Sequence, residues 1–240
     1  MENFESQQFR NELAKGIKEV PKEERKDILG EAKETSEYWQ ARGEKISERQ
    51  NEEEIDDGLG VLLKKKTIYH GSGTSGIEQF NRAEEDTVGS GIYFTSEAKD
   101  AIGYARRRSR AREGAAPVIY ESSVENMKLL DLRKGENVKK VLKGFKKVLK
   151  DKLKESDLQW YYEAVLQRAV EAINSGKIGV GNLREATFST GQLFSDYVKS
   201  MDYDGLVALE GGEGDDIGDH DTYLIFDPEK AKIDREHKIL

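Results

Sequence analysis

Two short runs carry the residue types from which a site could be built. His70 closes the strand-like run TIYH and is followed by Gly71, Ser72 and Gly73; further on, Gly89 and Gly91 precede Ile92, Tyr93 and Phe94. Glycine has no Cβ, so the backbone at these points can approach a ligand closely. A lone His-Gly pair is unspecific, and the recurrence of strand and glycine around a tyrosine is what makes it informative. After Tyr104 the run RRRSRAR, residues 106–112, offers guanidinium forks that suit phosphate. The other readings of that run are an acidic target and a solvated helix end. His220 and His237 lack ligand-like spacing and are assigned no role. No metal site is expected, and with no cysteine in the chain there is neither a thiolate nucleophile nor Cys-ligated zinc.

The elements that must position these residues follow from pattern. TIYHG, GIYFT, PVIYESSV, DGLVALE and DTYLIFD are rich in Ile, Val, Tyr and Phe and read as strands. Between them AKDAIGYARRRSRAR, ENVKKVLKGFKKVLKDKLKE, SDLQWYYEAVLQRAVEAIN and GQLFSDYVKSM read as helices, so the expected fold is α+β with helical insertions between residues 134 and 201. The lysine-rich helix over 138–154 lines up Val138, Val141, Leu142, Phe145, Leu149 and Leu153 on one stripe. Such a helix reads as a core-facing stripe with a solvated face; a membrane-surface or nucleic-acid role is the alternative.

At the N-terminus Phe9, Leu13, Ile17 and Val20, then Ile28, Ala32, Trp39 and Ile46, recur at helical spacing and predict two amphipathic helices. ERQNEEEIDDGLG then reads as a linker ending near Gly60. The expected division is a charged helical arm and linker over 1–62 and a folded domain over 63–240.

Apolar residues make up 36% of the chain and charged residues another 36%, which is low in apolar content for a wholly compact fold and fits a solvated arm. The formal charge of -8 argues against a general nucleic-acid binder. No apolar run approaches membrane-spanning length, and MENFESQQFR has no apolar signal region. The absence of cysteine fits a reducing cytoplasm, which is the expected location.

Taken in order, YHGSG, GSGIYFTSEAKDAIGYA, YDGLVALE and DTYLIFDPEKAKI resemble the ADP-ribosyltransferase superfamily, in its poly(ADP-ribose) polymerase and diphtheria-toxin-like branch, over about residues 66–235. The resemblance implies a split antiparallel β-sheet whose cleft binds NAD, with a His-Tyr-Glu triad on three strands. It further implies that His70 bonds the adenosine-side ribose and that the Gly71 backbone holds the nicotinamide carboxamide. Tyr93 and Tyr104 would cover the two faces of the nicotinamide, with Ser72 and Phe94 also in the cofactor site. The ring is cationic, and a tyrosine face attracts such a ring by roughly 0.5 to 2 kcal/mol. Ala101 stands where polymerase-type members carry a carboxamide-binding serine; Ser72 or Thr95 would have to compensate.

The resemblance breaks at the third triad position. The family's glutamate precedes the last strand's aromatic, and here that slot holds Thr222, so the triad reads His70, Tyr93, Thr222. The adjacent Asp221 is the obvious substitute for the lost carboxylate, yet successive strand residues point to opposite faces. Glu210, Glu213, Asp215 and Asp216 read as a solvated acidic turn on a Gly-rich loop, with a swing toward the ribose as the alternative. Members lacking the glutamate transfer single ADP-ribose units or only bind. The expected function is therefore mono-ADP-ribosyl transfer from NAD, as co-substrate and without a metal, to a macromolecule. By resemblance to domains carried by bacteriophages and toxin systems, that acceptor is a host protein, reached in a host cytoplasm. The alternatives are an NAD or ADP-ribose binding module and an NAD glycohydrolase. On this reading Thr222→Glu should speed nicotinamide release, and Asp221→Asn should be nearly neutral.

Overall fold

The computed structural model describes residues 54–56, 58–81, 88–110, 115–156, 158–176, 183–187, 189–210 and 220–239, all within one compact unit, Arg49–Ile239. The two amphipathic helices expected near the N-terminus lie outside the described residues. The β-branched and aromatic runs form strands as their composition requires. These are β1 (Glu54–Asp56), β2 (Gly60–Ser72), β3 (Ile92–Thr95), β4 (Val118–Asp131), β5 (Gly205–Glu210), β6 (His220–Ile225) and β7 (Lys232–Lys238). Their order is β1-β2-β3-β6-β5-β4-β7, and β2 and β4 also pair with each other from Gly60↔Leu130 to Ser72↔Val118. That extra pairing closes β2, β3, β6, β5 and β4 into a circuit. Among the described residues only the β4–β5 pairing is parallel.

The sheet includes residues that composition assigns to the linker. Glu54 pairs with Leu63, and the Leu59 carbonyl accepts from Asp131 N at 3.1 Å and from Asn137 Nδ2 at 3.3 Å. A three-residue acidic strand has no periodicity to read, so only its pairing identifies it.

Helix α1 (Ala98–Arg110) connects β3 to β4, while α2 (Gly135–Lys152), α3 (Trp160–Asn174), α4 (Leu183–Thr187) and α5 (Gly191–Ser200) are inserted between β4 and β5. The apolar stripe of α2 is consumed by the core: Val138, Val141, Leu142, Phe145 and Leu149 are buried and Leu153 packs at the rim. A membrane-surface role for α2 therefore has no apolar face left to use. Among the described residues, no helix is long and apolar enough to cross a membrane.

Strand register decides which side chains share a face. Tyr69 pairs with Thr95, Thr95 with Thr222, and Thr222 with Ala208. Paired residues lie on one face and successive residues alternate. One face thus carries Tyr93, Thr95, Thr222, Ala208 and Glu210, and the other carries Phe94, Asp221, Tyr223, Val207 and Leu209. Leu206, Ala208 and Leu224 on the first face pack with α2, α3 and α5, whereas Phe94, Val207 and Tyr223 belong to a second cluster with Ile68, Phe80 and Tyr120.

Candidate active site

Gly71 positions α1. A Cβ there would lie 2.1 Å from the Ala101 carbonyl and 2.7 Å from Ala105 N. The glycine that reads in the sequence as an opening for a ligand is thus first an opening for this helix, which sets Tyr104 over the sheet. Tyr104 donates its one hydroxyl proton to Glu210 Oε2 at 3.2 Å. Its oxygen then accepts from His220 Nε2 at 3.0 Å. Thr222 Oγ1 donates to the same Glu210 Oε2 at 3.0 Å. Thr222 and His220 are buried, and Tyr104 and Glu210 half-buried. Arg107 stands over the Tyr104 ring at 5.6 Å.

Tyr93 lies on the same face as Thr222 and is half-buried. Its hydroxyl donates to the Gly89 carbonyl at 2.7 Å and accepts from Val88 N at 3.0 Å, which ties the glycine turn to β3. Asp221, on the opposite face, accepts from Arg133 Nη1 at 2.9 Å. The register thus separates Asp221 from Thr222, as strand alternation requires.

His70 falls opposite Phe94 in this register, so it shares a face with Phe94 and not with Tyr93 and Thr222. Its ring packs edge-on against Phe80 at 5.1 Å and Phe94 at 5.8 Å. Nδ1 bonds the Tyr93 carbonyl at 2.8 Å. A carbonyl can only accept, so Nδ1 carries the proton and Nε2 presents a lone pair. Among the described residues Nε2 has no hydrogen-bond partner. Burial lowers the His70 pKa against the opposing effect of the Tyr93 bond, and the charge of Arg108 lowers it further. The imidazole is therefore held neutral, as an acceptor of a hydroxyl proton.

Other residues singled out from the sequence are engaged locally. Phe94 is 1% exposed and backs His70 in the core. Ser72 Oγ accepts from Thr74 N at 3.0 Å, and Thr95 Oγ1 donates to the Glu97 carbonyl at 2.9 Å. Thr95 thus spends its hydroxyl proton in a turn, whereas Ser72, an acceptor there, keeps a proton to donate. Glu213, Asp215 and Asp216 lie outside the described residues. His237 bonds Glu121 Oε2 at 3.0 Å, across the β4–β7 pair.

A family described as ADP-ribosyltransferase in polyvalent proteins matches residues 64–236. The chain belongs to this ADP-ribosyltransferase family. Among curated proteins no match is found. A chain of the M. tuberculosis MbcT–MbcA toxin–antitoxin complex is similar at 12% identity and a TM-score of 0.42, over 76% of this chain and 88% of that one. That likeness is too remote to bear on function.

ADP-ribosyltransferase domains use NAD as co-substrate, and the residues present suit its chemistry. Tyr93 and Tyr104 are aromatic groups of the kind that attract a cationic ring, and Arg107 and Arg108 on α1 are of the type that binds pyrophosphate.

Three further residues gather at the Tyr104–Thr222 cluster: Glu210, which the sequence reads first as part of a solvated turn and alternatively as a group swinging toward the ribose; His220, given no role; and Asp100, not singled out. Asp100 lies one helical turn before Tyr104 and is 5% exposed. Burial raises its pKa to about 6, against the opposing charges of His220 and Lys99. A raised carboxyl pKa contributes stability that is present at low pH and lost as pH rises through the folded value. Asp100→Asn, which removes the buried charge, should therefore raise the thermal midpoint in alkaline buffer, with the gain fading as pH falls through about 6. A gain that grew on acidification would refute burial as the cause.

Proposed function

We propose that this domain transfers a single ADP-ribose unit from NAD to a macromolecular acceptor, a host protein, with release of nicotinamide. Membership of the family supports the reaction class. The observation that carries the reading further is Tyr93 and Thr222 on one sheet face with the ring of Tyr104 held at its end through Glu210. The nicotinamide ring would bind against these tyrosines. Polymer formation is not part of the proposal.

Incubation with NAD labelled in its adenylate half and a cell lysate tests the proposal. Label retained on protein after denaturation is the expected result. Binding without transfer or nicotinamide release would favour the NAD-binding module, a reading that Thr222 itself supports. Release of free ADP-ribose alone would make the domain a glycohydrolase.

Stacking gives a second test. Tyr104→Ala should weaken NAD binding by roughly 1 to 2 kcal/mol, about ten-fold or somewhat more in calorimetry. Tyr104→Phe keeps the ring and should stay close to wild type in affinity. Equal affinity for Tyr104→Ala and wild type would remove Tyr104 from the binding site.

A further inference from the structure

We propose that Glu210 is the catalytic carboxylate of this site, supplied from β5 in place of a glutamate at position 222. This rests on the transferase reading above and goes beyond it by naming the group that acts on the reacting ribose. Thr222 pairs with Ala208, so Glu210 is the diagonal neighbour of Thr222 on the same face. Diagonal neighbours on adjacent antiparallel strands lie within reach of long side chains. A glutamate extending from 210 therefore brings its carboxylate to the space beside the 222 side chain, and the 3.0 Å bond from Thr222 Oγ1 to Glu210 Oε2 is that meeting. The carboxylate has moved one strand over while keeping its place on the face.

The surrounding groups hold it there. Thr222 and Tyr104 both donate to Oε2, and His220, which pairs with Glu210 across β5 and β6, bonds the Tyr104 oxygen. Two hydroxyl donors on one oxygen orient the carboxylate, and Thr222 becomes a positioning residue where a catalytic one is expected. The Tyr104 bond also couples the carboxylate to the aromatic ring proposed to bind nicotinamide.

The chemistry needs such a group. The bond from the ribose C1′ to the nicotinamide nitrogen breaks, its electron pair leaves with the nitrogen, and nicotinamide departs neutral. C1′ is left as an oxocarbenium-like centre. A carboxylate beside it stabilises the positive charge that develops. The acceptor's nucleophilic atom then bonds to C1′ and its proton passes to Glu210, which returns it to solvent. ADP-ribosylated acceptor, nicotinamide and one proton are formed, with water as acceptor giving ADP-ribose instead.

The test measures nicotinamide release with lysate present, and NAD affinity by calorimetry, for wild type, Glu210→Gln and Glu210→Ala. Glu210→Gln keeps the shape and loses the charge, and is expected to bind NAD within a few-fold of wild type while releasing nicotinamide about a hundred- to a thousand-fold more slowly. Added formate should restore part of the turnover of Glu210→Ala by placing a carboxylate in the vacated volume, a rescue that a merely structural role would not allow. Wild-type turnover retained in Glu210→Gln would overturn the assignment and leave the transferase reading standing. So would loss of turnover in Asp100→Asn with Glu210→Gln unaffected. Absence of nicotinamide release from wild type would overturn both.

Discussion

Replacing Arg133 by methionine is expected to destabilise the fold by about 3 kcal/mol or more, within the range of 3–5 kcal/mol typical of orphaned buried charges. Arg133 meets Asp131 through two bonds, Nε to Oδ1 at 2.9 Å and Nη2 to Oδ2 at 3.2 Å, and meets Asp221 through Nη1 at 2.9 Å. Burial opposes the guanidinium charge, but the bonds to the two carboxylates outweigh it and hold the pKa above the ordinary arginine value. The Asp131 side chain is 2% exposed, and among the described residues it would keep, without the Arg133 guanidinium, the bond from the backbone N of position 133 and Lys134 at 3.9 Å. Lys134 is what keeps the expectation near the lower end. Arg133→Lys should not rescue the loss, since an ammonium cannot reproduce a fork that serves two carboxylates. Urea denaturation would measure it, and a loss under about 1 kcal/mol would mean that the pairing behaves as an exposed ion pair. The same geometry predicts a small effect for Asp221→Asn on nicotinamide release, because Arg133 holds Asp221 on the face away from Thr222.

Thr222→Glu is expected to lose both stability and turnover, the reverse of what the sequence suggests. Read alone, Thr222 is an empty place awaiting a carboxylate. In the fold it is 2% exposed and 3.0 Å from the carboxylate of Glu210. An introduced glutamate would bring a second negative charge into a space too small for it, and two carboxylates sharing such a site cannot both ionise freely. An uncompensated buried charge costs about 3–5 kcal/mol, and forcing extra methylenes into a packed site adds about 1–3 kcal/mol. Both burial and the like charge raise the pKa of the introduced carboxyl, so the electrostatic part of the loss is largest in alkaline buffer and relieved as pH falls. Thermal midpoints across pH separate this part from the pH-independent steric part. Faster nicotinamide release at unchanged stability would show that Glu210 leaves the place open, and would remove the basis for its catalytic assignment.

Much of the fold is legible before any coordinates. The stripe of Val138, Val141, Leu142, Phe145 and Leu149 is at helical spacing and is buried along α2. The runs around His70, Tyr93 and Thr222 are strands because branched and aromatic residues fit a pleated, half-buried surface. The short elements are the ones that escape: β1 at Glu54–Asp56 and α4 at Leu183–Thr187 are too brief for a period to repeat.

By itself the sequence determined the residue types of the site, the class of the fold and the opposition of Asp221 to Thr222, because all three depend on local composition or on the strict alternation of a strand. It also marked Gly71 as a point of close approach, without saying that α1 is what approaches. Only the tertiary structure decided that Glu210 meets Thr222, that His220 joins Tyr104, and that His70 lies with Phe94 on the reverse face. Each of these depends on the register between strands joined through loops and inserted helices, and a shift of one residue would turn every side chain to the other face. Local patterns constrain each strand's own alternation. The pairing of one strand with another is settled by what the whole core can bury.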